Sequence, residues 1–275
     1  MIMRKLIHII ILALLSVATA RAQVASDYWD DVDFSDTTLI SSNVLKNKVI
    51  NYLFETACMD EAHFDSLSIS SLNLVFAKAK VNMRTYEYVL ELMLNGYTNM
   101  GRDAVTDFLL NYPQLAEGEI TMDDGLRLDS ITEPYQKVRV GARAPDFSGM
   151  TIDGKLYSLY TSAAARIIVF FWSSDCEYCH DFLNSIRRKL DLQSDYELVT
   201  FALADDVEEV KAQVKNMRLP GYHFYDDKRW DGKVFLDFHI TTTPTVFVLD
   251  KEKTIVCKPY DWMELKTWIK EQNNK

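Results

Sequence analysis

Cysteine is scarce in this chain of 275 residues, which contains only four cysteines, six prolines and nine glycines. A chain of this length can bury a sizeable core, so it is not a small scaffold that depends on disulfides. Basic residues are also in the minority, because 30 lysines and arginines stand against 40 aspartates and glutamates, for a net charge of −10. This acidic balance disfavours nucleic acid and anionic lipid surfaces as partners.

The N-terminus has the features of a secretory signal peptide. Arg4 and Lys5 precede an apolar run from Leu6 to Val17 that is too short to span a bilayer, and small residues follow up to Ala22. We predict cleavage after Ala22 and a mature protein that is periplasmic or secreted. Its charge would be −13, because 27 basic residues then remain against 40 acidic ones. No later apolar run reaches the length of a membrane span, so no stable membrane insertion is expected.

The periodicity of apolar residues divides the mature chain into two parts. The first part shows helical spacing and is expected to contain four helices, the last of which ends at Pro113. The polar and acidic stretch 114–137 is interpreted as a connection. Strand-like and helical segments then alternate, which predicts a mixed sheet with helices on both faces. We therefore assign 1–22 to a signal peptide, 23–137 to a small all-α domain and 138–275 to an α/β domain.

One stretch of the α/β half has a pattern that suggests chemistry. Ile167 to Trp172 form an unbroken apolar run that is typical of a strand covered on both faces, and Ser173 to Asp175 are cap and turn residues. Cys176 and Cys179 follow at the start of a helix. Backbone N–H groups and the helix dipole favour a thiolate at Cys176 there. Cys179, one turn along, can then resolve a mixed disulfide.

Four segments of this half form a recognisable set: ARAPDFSGMTIDGKLYSL, IIVFFW, CEYC and TTTPTVFVLDKEKTIV. Together they resemble the secreted or periplasmic thioredoxin-like thiol–disulfide oxidoreductases of the TlpA and ResA kind, over roughly residues 138–275. The resemblance implies a thioredoxin fold with Cys176 as nucleophile and Cys179 as resolving cysteine. It also implies a cis peptide bond before Pro244, beside the cysteines, where the backbone of Thr243 hydrogen-bonds the substrate chain. The helical half resembles poorly characterised domains that precede such modules.

The same resemblance implies the partners. The substrates are expected to be exported proteins with cysteines or disulfides, and a membrane-bound thiol–disulfide partner is expected to reset the enzyme. Five residues are the expected substrate contacts: Trp172, Glu177, Tyr178, Thr243 and Pro244. No cofactor is expected. No metal is expected either, because no Cys/His cluster supplies the two further ligands that a zinc site at the pair would need.

Two positions depart from the family pattern. Thioredoxins bury an acid on the central strand, and the matching position here is Phe170. Relatives of the TlpA and ResA kind often carry an acid three residues after the second cysteine, where this chain has Phe182. Four nearby residues could take over the proton transfer, and the sequence does not choose among them: Asp175, Glu177, His180 and Asp181. The redox direction of the pair also stays open, because acids beside Cys176 raise the pKa of its thiol while the helix end and a protonated His180 lower it.

Other interpretations of the cysteines remain. The 176–179 pair could be a structural disulfide in a non-catalytic protein that binds partners on a thioredoxin-like scaffold. CEYCH also matches a c-type haem attachment motif, though without a second copy. A peroxiredoxin-like peroxidase normally has a Pro and a Thr before its cysteine, and SSDC has neither. Cys58 and Cys257 are expected to be buried free thiols, with a bridge between them as the alternative.

Overall fold

A computed structural model of the protein describes residues 27–57, 64–115, 122–190 and 196–273. The predicted signal peptide and Cys58 lie outside these residues. The chain divides into two compact units. The first extends to Tyr97 and also includes Ala104–Leu128, and the second comprises Thr98–Asp103 and Asp129–Lys275. Within the described ranges, no helix is long and apolar enough to cross a membrane.

The first part of the chain is helical, as predicted. Its helices are α1 (Thr38–Ser41), α2 (Val44–Ala57), α3 (Phe64–Ala79), α4 (Met83–Asn99) and α5 (Asp103–Leu115). Helix α4 buries Tyr86, Val89 and Met93 along one face, at the spacing that gives an amphipathic helix. An aromatic arm precedes the helices, and its Trp29 is fully buried with the ring centroid 5.3 Å from that of Tyr52. Buried aromatic surface therefore holds the arm on this unit.

The stretch 114–137 is mostly helical, so the prediction of a connection there is wrong. Helix α5 continues through Pro113 to Leu115, and α6 occupies Met122–Lys137 with Pro134 inside it. A buried face of α6 is not evident in the sequence, because acidic residues, glycine and proline lie among its members. Three buried residues recur in α6 at helical spacing, Leu128, Thr132 and Tyr135, and the buried Val138 follows directly after the helix. Burial of this face outweighs the unfavourable local propensities.

The second unit contains a five-stranded mixed sheet. Its strands are β3 (Ile167–Ser173), β4 (Glu197–Leu203), β5 (Tyr222–Tyr225), β6 (Thr245–Leu249) and β7 (Ile255–Cys257). They lie side by side in the order β5-β4-β3-β6-β7. Strand β3 lies at the centre, parallel to β4 and antiparallel to β6. A separate hairpin joins β1 (Ser148–Met150) to β2 (Leu156–Ser158). The helices are α7 (Glu177–Lys189), α8 (Val207–Met217), α9 (Lys233–Asp237) and α10 (Trp262–Asn273).

The sheet is covered on both faces, which confirms the predicted α/β architecture. Ile167, Val169 and Phe171 point into one core, which includes residues of the β1–β2 hairpin and of α9. Ile168, Phe170 and Trp172 point into the other core, which includes residues of α7, α8 and α10. All six side chains are fully buried, which accounts for the unbroken apolar run in the sequence. The C-terminal end of β3 is thereby held in place for the loop that follows.

Gly221, in the loop before β5, packs closely against β4. Its φ is +111°, and a Cβ there would overlap the carbonyl oxygen of Leu198. Gly154 has a φ of +81°, but a Cβ there would meet nothing within 4 Å. We expect Gly154→Ala to cost about 1 kcal/mol of unfolding free energy and Gly221→Ala at least about 2 kcal/mol, because only the latter adds a backbone clash. Denaturation of both variants measures the two losses, and equal losses would contradict the expectation.

Candidate active site at the cysteine pair

Cys176 and Cys179 form a disulfide at the N-terminus of α7, with their Cα atoms 5.2 Å apart. Cys176 is the N-cap residue, and its sulfur accepts a hydrogen bond of 3.1 Å from the backbone N–H of Cys179. Cys179 has no exposed surface, whereas Cys176 is partly exposed. A partner can therefore reach the first sulfur but not the second. In the reduced protein the same N–H group and the helix dipole would favour a thiolate at Cys176.

The Thr243–Pro244 peptide bond is cis, as the resemblance implies. Strand β6 begins directly after it, and the first residue of β6, Thr245, pairs with Phe171 near the end of β3. Since β3 and β6 are antiparallel, the start of β6 and the end of β3 lie at the same edge of the sheet. Thr243 and Pro244 are partly exposed at that edge, which is also where the cysteine loop begins.

The other three predicted substrate contacts differ in their exposure. Glu177 is exposed, and so is Tyr178, with 52% of its surface accessible. Burial, followed by the charges of Asp261 and Tyr260, raises the pKa of the Tyr178 hydroxyl, which therefore stays neutral near pH 7. Trp172, in contrast, is fully buried, so in this structure it lies behind the cysteine loop and not on the accessible surface.

The two positions where relatives keep acids are apolar in space as well as in sequence. Phe170 and Phe182 pack edge to face with their ring centroids 5.2 Å apart, in the core that contains Cys179. Neither ring can accept a proton. Proton transfer to and from Cys179 must therefore use a group other than these two side chains.

Asp175 directly precedes Cys176, and its environment keeps it ionised. A hydrogen bond from the Ser173 hydroxyl is the largest of the effects that lower the pKa of this carboxyl, and the charges of Arg229 and His180 act in the same direction. A carboxyl with a lowered pKa holds no proton to donate near neutral pH. Asp175 is thus a poor candidate for a proton donor.

His239 lies beside the cis proline and was not recognised from the sequence. Its ring packs edge to face on that of Tyr135, with the ring centroids 4.3 Å apart, and both residues line a small cavity with Pro244. The Nε2 atom is buried and has no hydrogen-bond partner among the described residues. Burial, with a further contribution from Lys258, lowers the pKa of this imidazole. Its position four residues before Thr243 was the only sequence signal that could have identified it.

Cys257 is a free, buried thiol, as expected, and it does not belong to the exposed part of the site. Burial raises the pKa of this thiol far above its ordinary value, and the charges of Glu264 and Asp103 add to the shift. Such a thiol is a poor nucleophile at neutral pH. Within the described ranges, no group of three or more histidines, cysteines and acids could hold a metal ion.

Comparisons with known proteins show what the chain is similar to. Residues 140–258 match the model of the AhpC/TSA family. The thioredoxin-like protein YneN of Bacillus subtilis (strain 168) is 26% identical over 137 residues, which cover 46% of this chain and 76% of YneN. A crystal structure of a thioredoxin-like protein from Bacteroides caccae superposes with a TM-score of 0.57 at 18% identity, and the match covers 90% of this chain and 92% of that one. The predicted thioredoxin-like fold is confirmed, and so is the resemblance to thioredoxin-like proteins.

Glu264, on α10, is the acid of this unit with the most strongly raised pKa. Burial of the carboxyl, followed by the nearby charges of Asp103 and Asp261, raises its pKa from 4.5 to about 7, although the N–H of Tyr260 donates to it at 2.9 Å. The folded protein therefore keeps a proton on Glu264 between pH 4.5 and 7 that the unfolded chain has released. Stability must fall as the pH rises through this window.

Glu264→Gln is expected to remove this fall in stability, because the amide is neutral at every pH and its oxygen can still accept from Tyr260. Allowing for the partial exposure of the carboxyl, the variant should be more stable than the parent by about 1 kcal/mol at pH 8. At pH 4.5 the two proteins should be equally stable. Thermal unfolding at both pH values measures this, and a difference that does not depend on pH would contradict it.

Proposed function

We propose that this chain, whose second unit is a thioredoxin-like domain matched over residues 140–258 by the AhpC/TSA family, is an exported thiol–disulfide oxidoreductase acting on proteins. The observation that carries the proposal is the position and exposure of the cysteine pair. The accessible Cys176 is the N-cap of α7 and the buried Cys179 lies one turn behind it. A structural disulfide would need no such difference in exposure, whereas sequential attack and resolution do.

The reaction begins with the reduced pair. The thiolate of Cys176 attacks one sulfur of a substrate disulfide, so that a mixed disulfide forms and one substrate thiolate leaves. Cys179 then loses its proton and attacks the sulfur of Cys176, which releases the second substrate thiolate and closes the 176–179 disulfide. Two electrons pass from the enzyme to the substrate, and the leaving thiolates take up protons. With a dithiol substrate the same steps run in reverse and oxidise it.

The surface around Cys176 supports a protein as the substrate. Thr243 and Pro244 are partly exposed at the edge of the sheet where the cysteine loop begins, and an extended substrate segment could hydrogen-bond to the backbone of Thr243 there. Tyr178 offers an exposed, neutral aromatic ring between the two cysteines. The substrates would be exported proteins with cysteines or disulfides, in the periplasm or outside the cell. A membrane-bound thiol–disulfide partner would return the pair to its starting state.

Cys176→Ser should abolish disulfide exchange, because a serine hydroxyl does not supply a nucleophile that exchanges with disulfides at neutral pH. The measurement is the rate at which the purified protein, supplied with a thiol reductant, reduces a disulfide-bonded protein substrate. The matched control is Cys257→Ala, which removes a buried thiol that cannot reach a substrate and should leave the rate within about twofold. Loss of activity in the control alone would contradict the assignment.

In Cys179→Ser, Cys176 should still attack substrate disulfides, but the mixed disulfide should not be resolved. Mixed disulfides between Cys176 and substrate proteins should therefore accumulate. Non-reducing gels and mass spectrometry of the trapped species measure this. The double variant with serine at both positions should trap nothing, which identifies Cys176 as the linked residue. Trapping through Cys257, or none from Cys179→Ser under both oxidising and reducing conditions, would overturn the mechanism.

A further inference from the structure

Gln213, on α8, connects that helix to both sides of the cysteine pair. Its side-chain Nε2 lies 3.0 Å from the carbonyl oxygen of Ser174 and 3.3 Å from the carboxylate of Glu209. Its Oε1 lies 3.1 Å from Nε2 of His180. Ser174 precedes Cys176 by two residues, and His180 directly follows Cys179. One amide therefore contacts the loop before the nucleophile and the helical turn after it.

The partners of this amide determine its orientation and the tautomer of the histidine. A backbone carbonyl and a carboxylate can only accept, so the NH2 group of Gln213 must face Ser174 and Glu209. The amide oxygen is then the atom that faces His180, and it also can only accept. Nε2 of His180 must therefore carry hydrogen and donate to Gln213. Nδ1 is left as the ring nitrogen that gains or loses a proton.

His180 is held next to the nucleophile. It lies four residues after Cys176 on the first turn of α7, and its backbone N–H donates to the carbonyl oxygen of Cys176 at 3.2 Å. Its ring packs edge to face on Trp172, with the centroids 5.6 Å apart. Since Trp172 is fully buried, the imidazole rests on a rigid support and cannot swing freely. The amide of Gln213 holds its other side.

Charged groups from four elements act on the imidazole, act on its partners or lie close to it in sequence. Asp175 in the preceding loop interacts with it electrostatically, as shown by the effect of His180 on the pKa of that carboxyl. Glu209 on α8 reaches it through Gln213, and Arg229 in the turn before α9 acts on the same Asp175. Its sequence neighbours on α7 are Glu177 and Asp181. A positive charge on the imidazole would favour a thiolate on Cys176.

We propose that Gln213 is a positioning residue for the thiol–disulfide exchange: it fixes His180 beside Cys176 through the hydrogen bond at Nε2 and anchors the loop that carries this nucleophile. The proposal rests on the proposed function, since it assigns a role toward Cys176. His180 would act through its charge, so the reactivity of Cys176 depends on the protonation of the imidazole as well as on its own. Two coupled groups titrate in two steps.

The test is the pH dependence of the alkylation of Cys176 by iodoacetamide in the reduced full-length protein, followed by mass spectrometry. The parent protein should show two steps between pH 5 and pH 9. His180→Gln should show one step. Its alkylation rate at the acidic end should be about threefold lower, because a smaller fraction of Cys176 is then thiolate. A purely structural histidine would leave both the number of steps and the rate unchanged.

Two variants of Gln213 separate its roles. Gln213→Glu removes the NH2 donors to Ser174 and Glu209 but keeps an oxygen toward His180 and adds a negative charge, so the step at lower pH should move to higher pH. Gln213→Met has a similar length but cannot donate or accept the hydrogen bonds of the amide. The step at lower pH should therefore become smaller and should not move to higher pH. A parent profile with one step, or profiles of both Gln213 variants that match the parent, would overturn the proposal. If Gln213→Met does not fold, His180→Gln and Gln213→Glu still test the proposal.

This readout is independent of substrate turnover. If Cys176→Ser retained full exchange activity, the proposed function would fail while the alkylation profile could still show two steps. If exchange requires Cys176 but the profile has a single step, only the role of Gln213 and His180 fails. The two failures are therefore distinguishable.

Discussion

The central constraint on the second unit is the burial of β3 on both faces. Six consecutive side chains, Ile167 to Trp172, are fully buried in two different cores. At about 1.5–3 kcal/mol for each large apolar side chain, this burial is a major contribution to the stability of the unit. It also leaves the end of β3 no freedom to shift, so the loop and helix that follow begin at a fixed point. The chemistry at Cys176 depends on that rigid support.

The site results from three elements that end or begin at one edge of the sheet. Strand β3 delivers the cysteine loop, β6 begins there directly after the cis Thr243–Pro244 bond, and α7 starts with its N-terminus at Cys176. The aromatic pair Phe170 and Phe182 occupies the space behind the pair where relatives keep acids. In our proposal, polar control of the cysteines comes from the exposed side, through side chains on the loop, on α7 and on α8.

The parts of the fold that could be predicted are those encoded by local pattern. The buried strand, the turn and the helix start at Cys176 each have their own sequence signal, and the expected cis bond at Pro244 is present. Helix α6 was missed because its acidic residues, Gly125 and Pro134 outweigh an apolar face that is visible only when the packing is known. Gln213 could not be found from sequence, since its contact with Ser174 spans 39 residues and requires the register of α8 on the sheet.

The reduction potential of the 176–179 pair tests the central claim most directly. It is measured by equilibrating the full-length protein with glutathione or dithiothreitol buffers of known poise and quantifying the free thiols of Cys176 and Cys179. A redox-active pair should have a potential between about −120 and −270 mV, the range of exchanging thioredoxin-fold proteins. A potential below about −300 mV would identify a structural disulfide and contradict the account.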